Sequence, residues 1–149
     1  MAVTRTYKVG DEVTSLAKTM SQDAINAFEA SGGATGPSQF TDADTAKGVL
    51  GTHSTVASGR MSLTFSLEML RRFFGAEIFN RGGTVDLRFL RPVRPGDTVT
   101  FSGKITALDK EANGVRVRCE ISAQNQKGDT TAAGTGACLV PSGYLPAED

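Results

Sequence analysis

Val56-Ala-Ser-Gly-Arg-Met-Ser-Leu-Thr-Phe-Ser-Leu-Glu-Met-Leu-Arg-Arg-Phe-Phe74 is the stretch that decides how this chain folds. Leu63, Leu67, Leu70 and Phe74 form one apolar stripe, and Met61, Phe65, Met69 and Phe73 a second. Both run at the three- and four-residue spacing of a helix. A helix of about five turns that is apolar on nearly every face has to be enclosed rather than laid on a surface. It is too short and, with Glu68, Arg71 and Arg72, too charged to span a membrane. A strongly curved antiparallel sheet wrapped around one central helix would enclose it. The expected class is therefore α+β.

The residues after the helix supply the sheet. Gly82-Gly83 introduces Thr84 to Arg91, in which Val85, Leu87 and Phe89 alternate with polar residues. Pro92 to Asp97 is a turn, and Val99, Phe101, Ile105 and Ala107 mark the next strand. Asn113-Gly114 is the strongest hairpin signal in the chain. Val115, Val117, Cys119, Ile121 and Ala123 alternate through the strand beyond it. A last Ala/Gly-rich strand, after Lys127-Gly-Asp129, ends at Val140-Pro141; its small residues suit a close approach of backbone, helix or ligand. Residues 141–149 read as a loose tail.

Before the helix, Tyr7-Lys-Val-Gly-Asp-Glu-Val13 turns into a short strand ending near Met20. Ser21 caps a helix whose apolar face is Ala24, Ile25, Ala27 and Phe28. Ser31 to Ser38 is a loop, with three glycines and a proline. Thr41 to Lys47 reads as a short helix capped by Thr41, with Asp44 at the capping-box position. Gly48 to Thr55 reads as a loop, and it holds the single histidine, His53.

The 149 residues fit one domain. Sixteen basic residues balance sixteen acidic ones, which removes the electrostatic case for nucleic-acid or anionic-membrane binding. No apolar run near the N-terminus suggests a signal or transit segment, so the expected compartment is the cytoplasm. Cys119 and Cys138 each lie in an apolar strand run and are expected as buried, reduced thiols. One histidine and no Cys/His cluster predict no metal site.

From about Tyr7 to Val140 the chain resembles the MaoC-like hydratases and dehydratases of the hot-dog fold. At the N-terminal side the resemblance rests on Val9-Gly-Asp11 and on Ser21 to Phe28 leading to Ser31-Gly32. In the middle it rests on Ala57-Ser-Gly-Arg-Met61. Further on it rests on Arg81-Gly-Gly83 and on Phe89-Leu-Arg-Pro-Val-Arg-Pro-Gly-Asp97. The order and spacing of these segments carry it, since no single one is specific. The resemblance implies a single α+β hot-dog domain, and lyase chemistry on acyl thioesters of coenzyme A or acyl carrier protein, with no further cofactor. The family's catalytic segment, Gly-Asp-x-Asn-Pro-aliphatic-His, is where this chain departs. Phe40 falls where the histidine belongs, and the aspartate position falls near Thr35. Adding water to an enoyl thioester needs a base for the water and an acid for Cα, and neither side chain is one.

Thioester binding does not need that dyad. In the family the N-terminus of the central helix meets the thioester carbonyl, and free N–H groups there favour a developing enolate oxygen. Gly59 would let a ligand come close, and Ser58 either caps the helix or touches substrate; the alternative is an ordinary helix start. Arg60 must snorkel, pair, or meet a ligand carboxylate or phosphate. Arg81, Arg91 and Arg94 either grip coenzyme phosphates or are simply solvated. His53 is a candidate relocated acid/base oriented by Asp42 or Asp44, or else an exposed loop histidine. The expected site is thus His53 and Asp42 as catalytic groups, with Phe40, Ser58, Gly59 and Arg60 binding substrate.

Three activities fit. One is a hydratase or dehydratase with rebuilt acid/base groups. A second is a hot-dog thioesterase using Asp42. The third is a non-catalytic subunit paired with a dyad-bearing hot-dog protein. A homodimer joined edge to edge is the expected assembly, since a single sheet of about five strands leaves an edge that pairing would cover.

Overall fold

The helix read from Val56–Phe74 forms over Gly59–Phe74 (α3), and the rest of the chain is organised around it. The computed structural model describes residues 4–51 and 54–147. Glu12–Met20 is β1, Gln22–Ser31 is α1 and Ala43–Leu50 is α2. After α3 come α4 (Ala76–Gly82), β2 (Gly83–Phe89), β3 (Asp97–Glu111), β4 (Gly114–Gln124) and β5 (Thr130–Pro141). The five strands form one antiparallel sheet in the order β1-β3-β4-β5-β2. This is the α+β hot-dog arrangement, and β1 and β2 are its edges.

Period-two patterning gives the sheet one apolar face: Val99, Phe101 and Ile105 on β3, and Val117, Cys119 and Ile121 on β4, are all buried. Register shifts at Val13/Leu16 on β1 and Ile105/Ala107 on β3 insert bulges, which increase the local twist and bend of the sheet. Met61, Met69, Leu70, Phe73 and Phe74 of α3 fill the space beneath it. Fully burying each such side chain stabilises by about 1.5–3 kcal/mol. Gly136 on β5 permits the close approach: a β-carbon there would meet Leu70 Cδ1 at 2.7 Å.

The helix is less enclosed than its composition suggests. Leu63, Phe65 and Leu67 are only half-buried, while Ser62 and Ser66 are buried on the core side. The Ser66 hydroxyl donates to the Ser62 carbonyl at 3.0 Å, so its burial leaves no orphan group.

Several local expectations change. The second helix is capped by Asp42 rather than Thr41, and it runs through Gly48 to Leu50, which had read as loop. Thr41 instead accepts from the Ser38 N–H within the preceding turn. Helix α4 was not expected; Phe79, on its inner side, stacks on Phe74. The β3–β4 hairpin turns one residue early, at 112–113, with Gly114 already paired to Glu111. Pro141 closes β5, and Tyr144 and Leu145 beyond it pack against the core, so this part of the C-terminal segment is not loose. Among the described residues, no helix is long and apolar enough to cross a membrane, and no group of His, Cys, Asp and Glu has metal-site geometry.

Candidate active site

The start of α3 is held in place from two sides. The Ala57 N–H donates to the Val93 carbonyl at 2.8 Å, which ties the entry segment to the β2–β3 connection. The Val56 N–H donates to the Gln39 carbonyl at 3.3 Å, which ties it to the turn before α2. Gln22 links the same pieces: its amide donates to the Phe40 carbonyl at 2.9 Å and its oxygen accepts from the Thr55 hydroxyl. The helix therefore begins at a fixed point.

What begins there is chemically open. Ser58 occupies the N-cap with extended backbone, but its side chain makes no capping bond. Its Oγ is buried without a partner. None of the backbone hydrogen bonds among the described residues uses the N–H of Gly59 or Arg60. An uncapped first turn carries a partial positive charge and free donors. Ser58 and Gly59 line a cavity of about 240 Å³, together with Ala57, Ser62, Val93, Thr131 and the run from Phe89 to Pro92. The Phe89 ring covers the glycine: a β-carbon on Gly59 would lie 2.6 Å from ring Cε2. Thr131, at the back, uses its carbonyl to accept the Leu90 and Arg91 N–H groups, and so sets the path of the covering segment.

The residues expected from sequence fall into separate groups. Ser58 and Gly59 are at the cavity. Phe40 is half-buried and packs against the hydrophobic core, while Thr35 is exposed in the loop before it. Asp42 is occupied as a cap: Oδ2 accepts the Thr45 N–H at 2.9 Å and the Thr45 hydroxyl at 2.7 Å. Those bonds, the hydroxyl's first, hold its carboxyl below the ordinary value, which makes it a weaker base. Arg60 takes the pairing option, with Nη2 at 2.9 Å from Glu29 Oε2. His53 lies outside the described residues. Of the three outer arginines considered, Arg91 lines the cavity, whereas Arg81 lies in the last turn of α4, near the end of β5.

Sequence reading missed Glu29, Ser62, Phe89 and Thr131. Glu29 had a signal, since it stands four residues after the fully buried Ile25 and so on the same helical stripe. Ser58, Ser62 and Ser66 recur at four-residue spacing, which marks a polar line inside an apolar helix.

The sequence profile of the MaoC like domain matches residues 6–127. The chain belongs to this MaoC-like family. Solved structures agree in fold. The MaoC-like dehydratase from Rhodospirillum rubrum is 24% identical, with a TM-score of 0.74 over 95% of this chain and 96% of that one. An (R)-hydratase from A. caviae involved in PHA biosynthesis is 21% identical, with a TM-score of 0.72 over 92% and 99%. The ChsH1–ChsH2 complex from Mycobacterium tuberculosis gives 17% identity and a TM-score of 0.74 over 91% and 99%. No curated protein is a significant sequence match. In this MaoC-like chain the first turn of α3 is uncapped, and Ser58 and Gly59 at its start line the cavity.

Proposed function

We propose that this MaoC-like protein is a hydro-lyase that adds water to, or removes it from, an acyl thioester carried by coenzyme A or acyl carrier protein. The observation that carries the reading is the uncapped first turn of α3, with Ser58 Oγ unpartnered and both Ser58 and Gly59 lining one cavity. A thioester carbonyl seated there gains donors, and the enolate formed during hydration gains more because its charge is larger. Arg91 at the cavity wall suits a coenzyme phosphate. The acid/base groups are rebuilt, because the positions aligned with the family dyad hold Phe40 and Thr35.

The test is hydration of a panel of trans-enoyl-CoA thioesters of increasing chain length, followed by loss of enoyl absorbance. Turnover of a panel member that falls about tenfold or more in Ser58→Ala supports the reading. A wild-type protein inert toward the whole panel rejects it.

A second reading draws on Phe40. An aromatic ring packed on the core at the histidine position fits a subunit that binds thioester for a dyad-bearing partner. Co-expression with a dyad-bearing hot-dog protein and co-elution from a sizing column test it. The favoured assembly without such a partner is a homodimer through the open β2 edge.

A further inference from the structure

Val85, Leu87 and Phe89 alternate along β2, and the first two pack against the core. The row ends in Phe89, which is exposed and whose ring lies on Gly59. A β-carbon on that glycine would sit 2.6, 2.7 and 2.9 Å from ring Cε2, Cζ and Cδ2. In a helix the Cα–Cβ direction tilts toward the N-terminus, so a ring that fills this position lies at the open rim of the first turn of α3. Phe89 and Gly59 line the same cavity. The backbone beneath the ring is fixed. Phe89 pairs with Ala132 of β5, and the next two N–H groups, of Leu90 and Arg91, both donate to the Thr131 carbonyl. The ring itself is held lightly, for no other aromatic ring packs on it among the described residues. Turning it outward changes side-chain rotamer and breaks no hydrogen bond.

We propose that Phe89 determines which ligands the site accepts: its ring holds the place over Gly59 that a thioester carbonyl takes, and binding turns the ring out. This rests on the thioester-binding part of the reading above and requires no turnover. Ring and ligand compete for one turn of helix. The affinity of the protein is then its intrinsic affinity reduced by the fraction of molecules whose ring is already turned out. Glycine at position 59 admits either occupant, since a β-carbon there collides with the ring. The competition selects for acylation. A thioester offers the first-turn donors a carbonyl, which offsets the lost contact of the ring. Free coenzyme A has no such carbonyl, so it leaves the ring in place and binds without that gain.

Butyryl-CoA is saturated, so it binds without being hydrated, and its affinity is read by isothermal titration calorimetry on the whole chain. Phe89→Ala is expected to bind it at least about fivefold more tightly than wild type, and to bind free coenzyme A as wild type does. Binding of butyryl-CoA by Phe89→Ala alone supports the proposal equally. The chain contains no tryptophan, so Phe89→Trp places a single reporter in the ring's position. Its emission should move to the red as butyryl-CoA saturates the site and the indole enters water. If Phe89→Ala does not fold, Phe89→Leu, which also lacks the ring, is titrated in its place. Equal affinity of wild type and variant for butyryl-CoA overturns this inference alone. So does weaker binding by the variant, which would make the ring a contact of the ligand, or an equal gain for free coenzyme A. A tryptophan emission that stays unchanged while calorimetry records binding overturns it as well. If neither wild type nor variant binds butyryl-CoA or butyryl-pantetheine, the part common to both carriers, the thioester reading falls together with it.

Discussion

The ring of Phe89 lies on Gly59 so closely that a methyl group on the glycine would fall within 2.9 Å of three ring carbons. Phe89 is also 55% exposed, so its ring can swing outward. Gly59→Ala is expected to fold, with the ring displaced. Its turnover of the best thioester should fall at least about tenfold, because the new methyl occupies the approach to the first-turn donors. Gly59→Ala/Phe89→Ala should recover part of that loss. Steady-state kinetics beside thermal melts check both.

Asp42 should matter for stability more than for rate. Its carboxyl is held below its ordinary value, so the cap contributes fully above the unfolded carboxyl's pKa and is lost as pH falls through the lower folded one. Asp42→Ala is therefore expected to lower Tm at neutral pH, and the difference from wild type should shrink in strong acid. Turnover at neutral pH should stay within a few-fold. A loss of about a hundredfold or more would make Asp42 a participant in the chemistry.

Cys119 and Cys138 are unpaired and buried, and burial pushes both thiols up to about 11. Thiolate is the reactive form, so the native protein should not titrate with a disulfide reagent at pH 8. Unfolding in denaturant should release both thiols. Rapid labelling of the native state would show that the sheet opens readily.

Among the described residues, the two edge strands of the sheet, β1 and β2, each have a strand neighbour on one side only. Phe89 and Leu90, at the end of β2, are exposed apolar residues. Pairing through β2 would cover both, and light scattering should give twice the chain mass of 15.6 kDa. A mass near the single-chain value at micromolar concentration would count against it.

Hydration of crotonyl-CoA, the common short substrate, should be very slow. General acid and base groups contribute about 10²–10⁴-fold each, and on the proposed reading the dyad positions hold Phe40 and Thr35, which supply neither. On the best substrate, His53→Ala is expected to lose about a hundredfold in turnover. An unchanged rate would remove His53 from the chemistry.

The architecture was legible because its signals are local. Alternation over Val115 to Ala123 and two stripes over Met61 to Phe74 specify a strand and a helix without knowledge of their neighbours. The cap of α2 was misplaced by one residue, since Thr41 and Asp42 are both good caps and only the Ser38 turn decides between them. Helix α4 is short and follows α3 after one glycine, so its pattern merged with that of the longer helix. The site was less legible because its parts are distant in sequence. Phe89 meets Gly59 only after β2 has paired with β5, and Glu29 meets Arg60 across thirty-one positions. Nothing in either segment alone names its partner.

The hydrogen bond from Ala57 to Val93 makes one mechanical part of two pieces that would otherwise move separately. The entry to α3 and the segment that carries Phe89 share that fastening, so floor and cover of the cavity travel together. An acyl group too large for the space cannot simply lift the cover. It must either rotate the ring alone or break the fastening and shift the helix start with it. On the proposed thioester reading, chain length would then be read as a threshold rather than a slope: acyl chains up to the reach of a rotated ring would be taken, and longer ones would lose the donors that hold them.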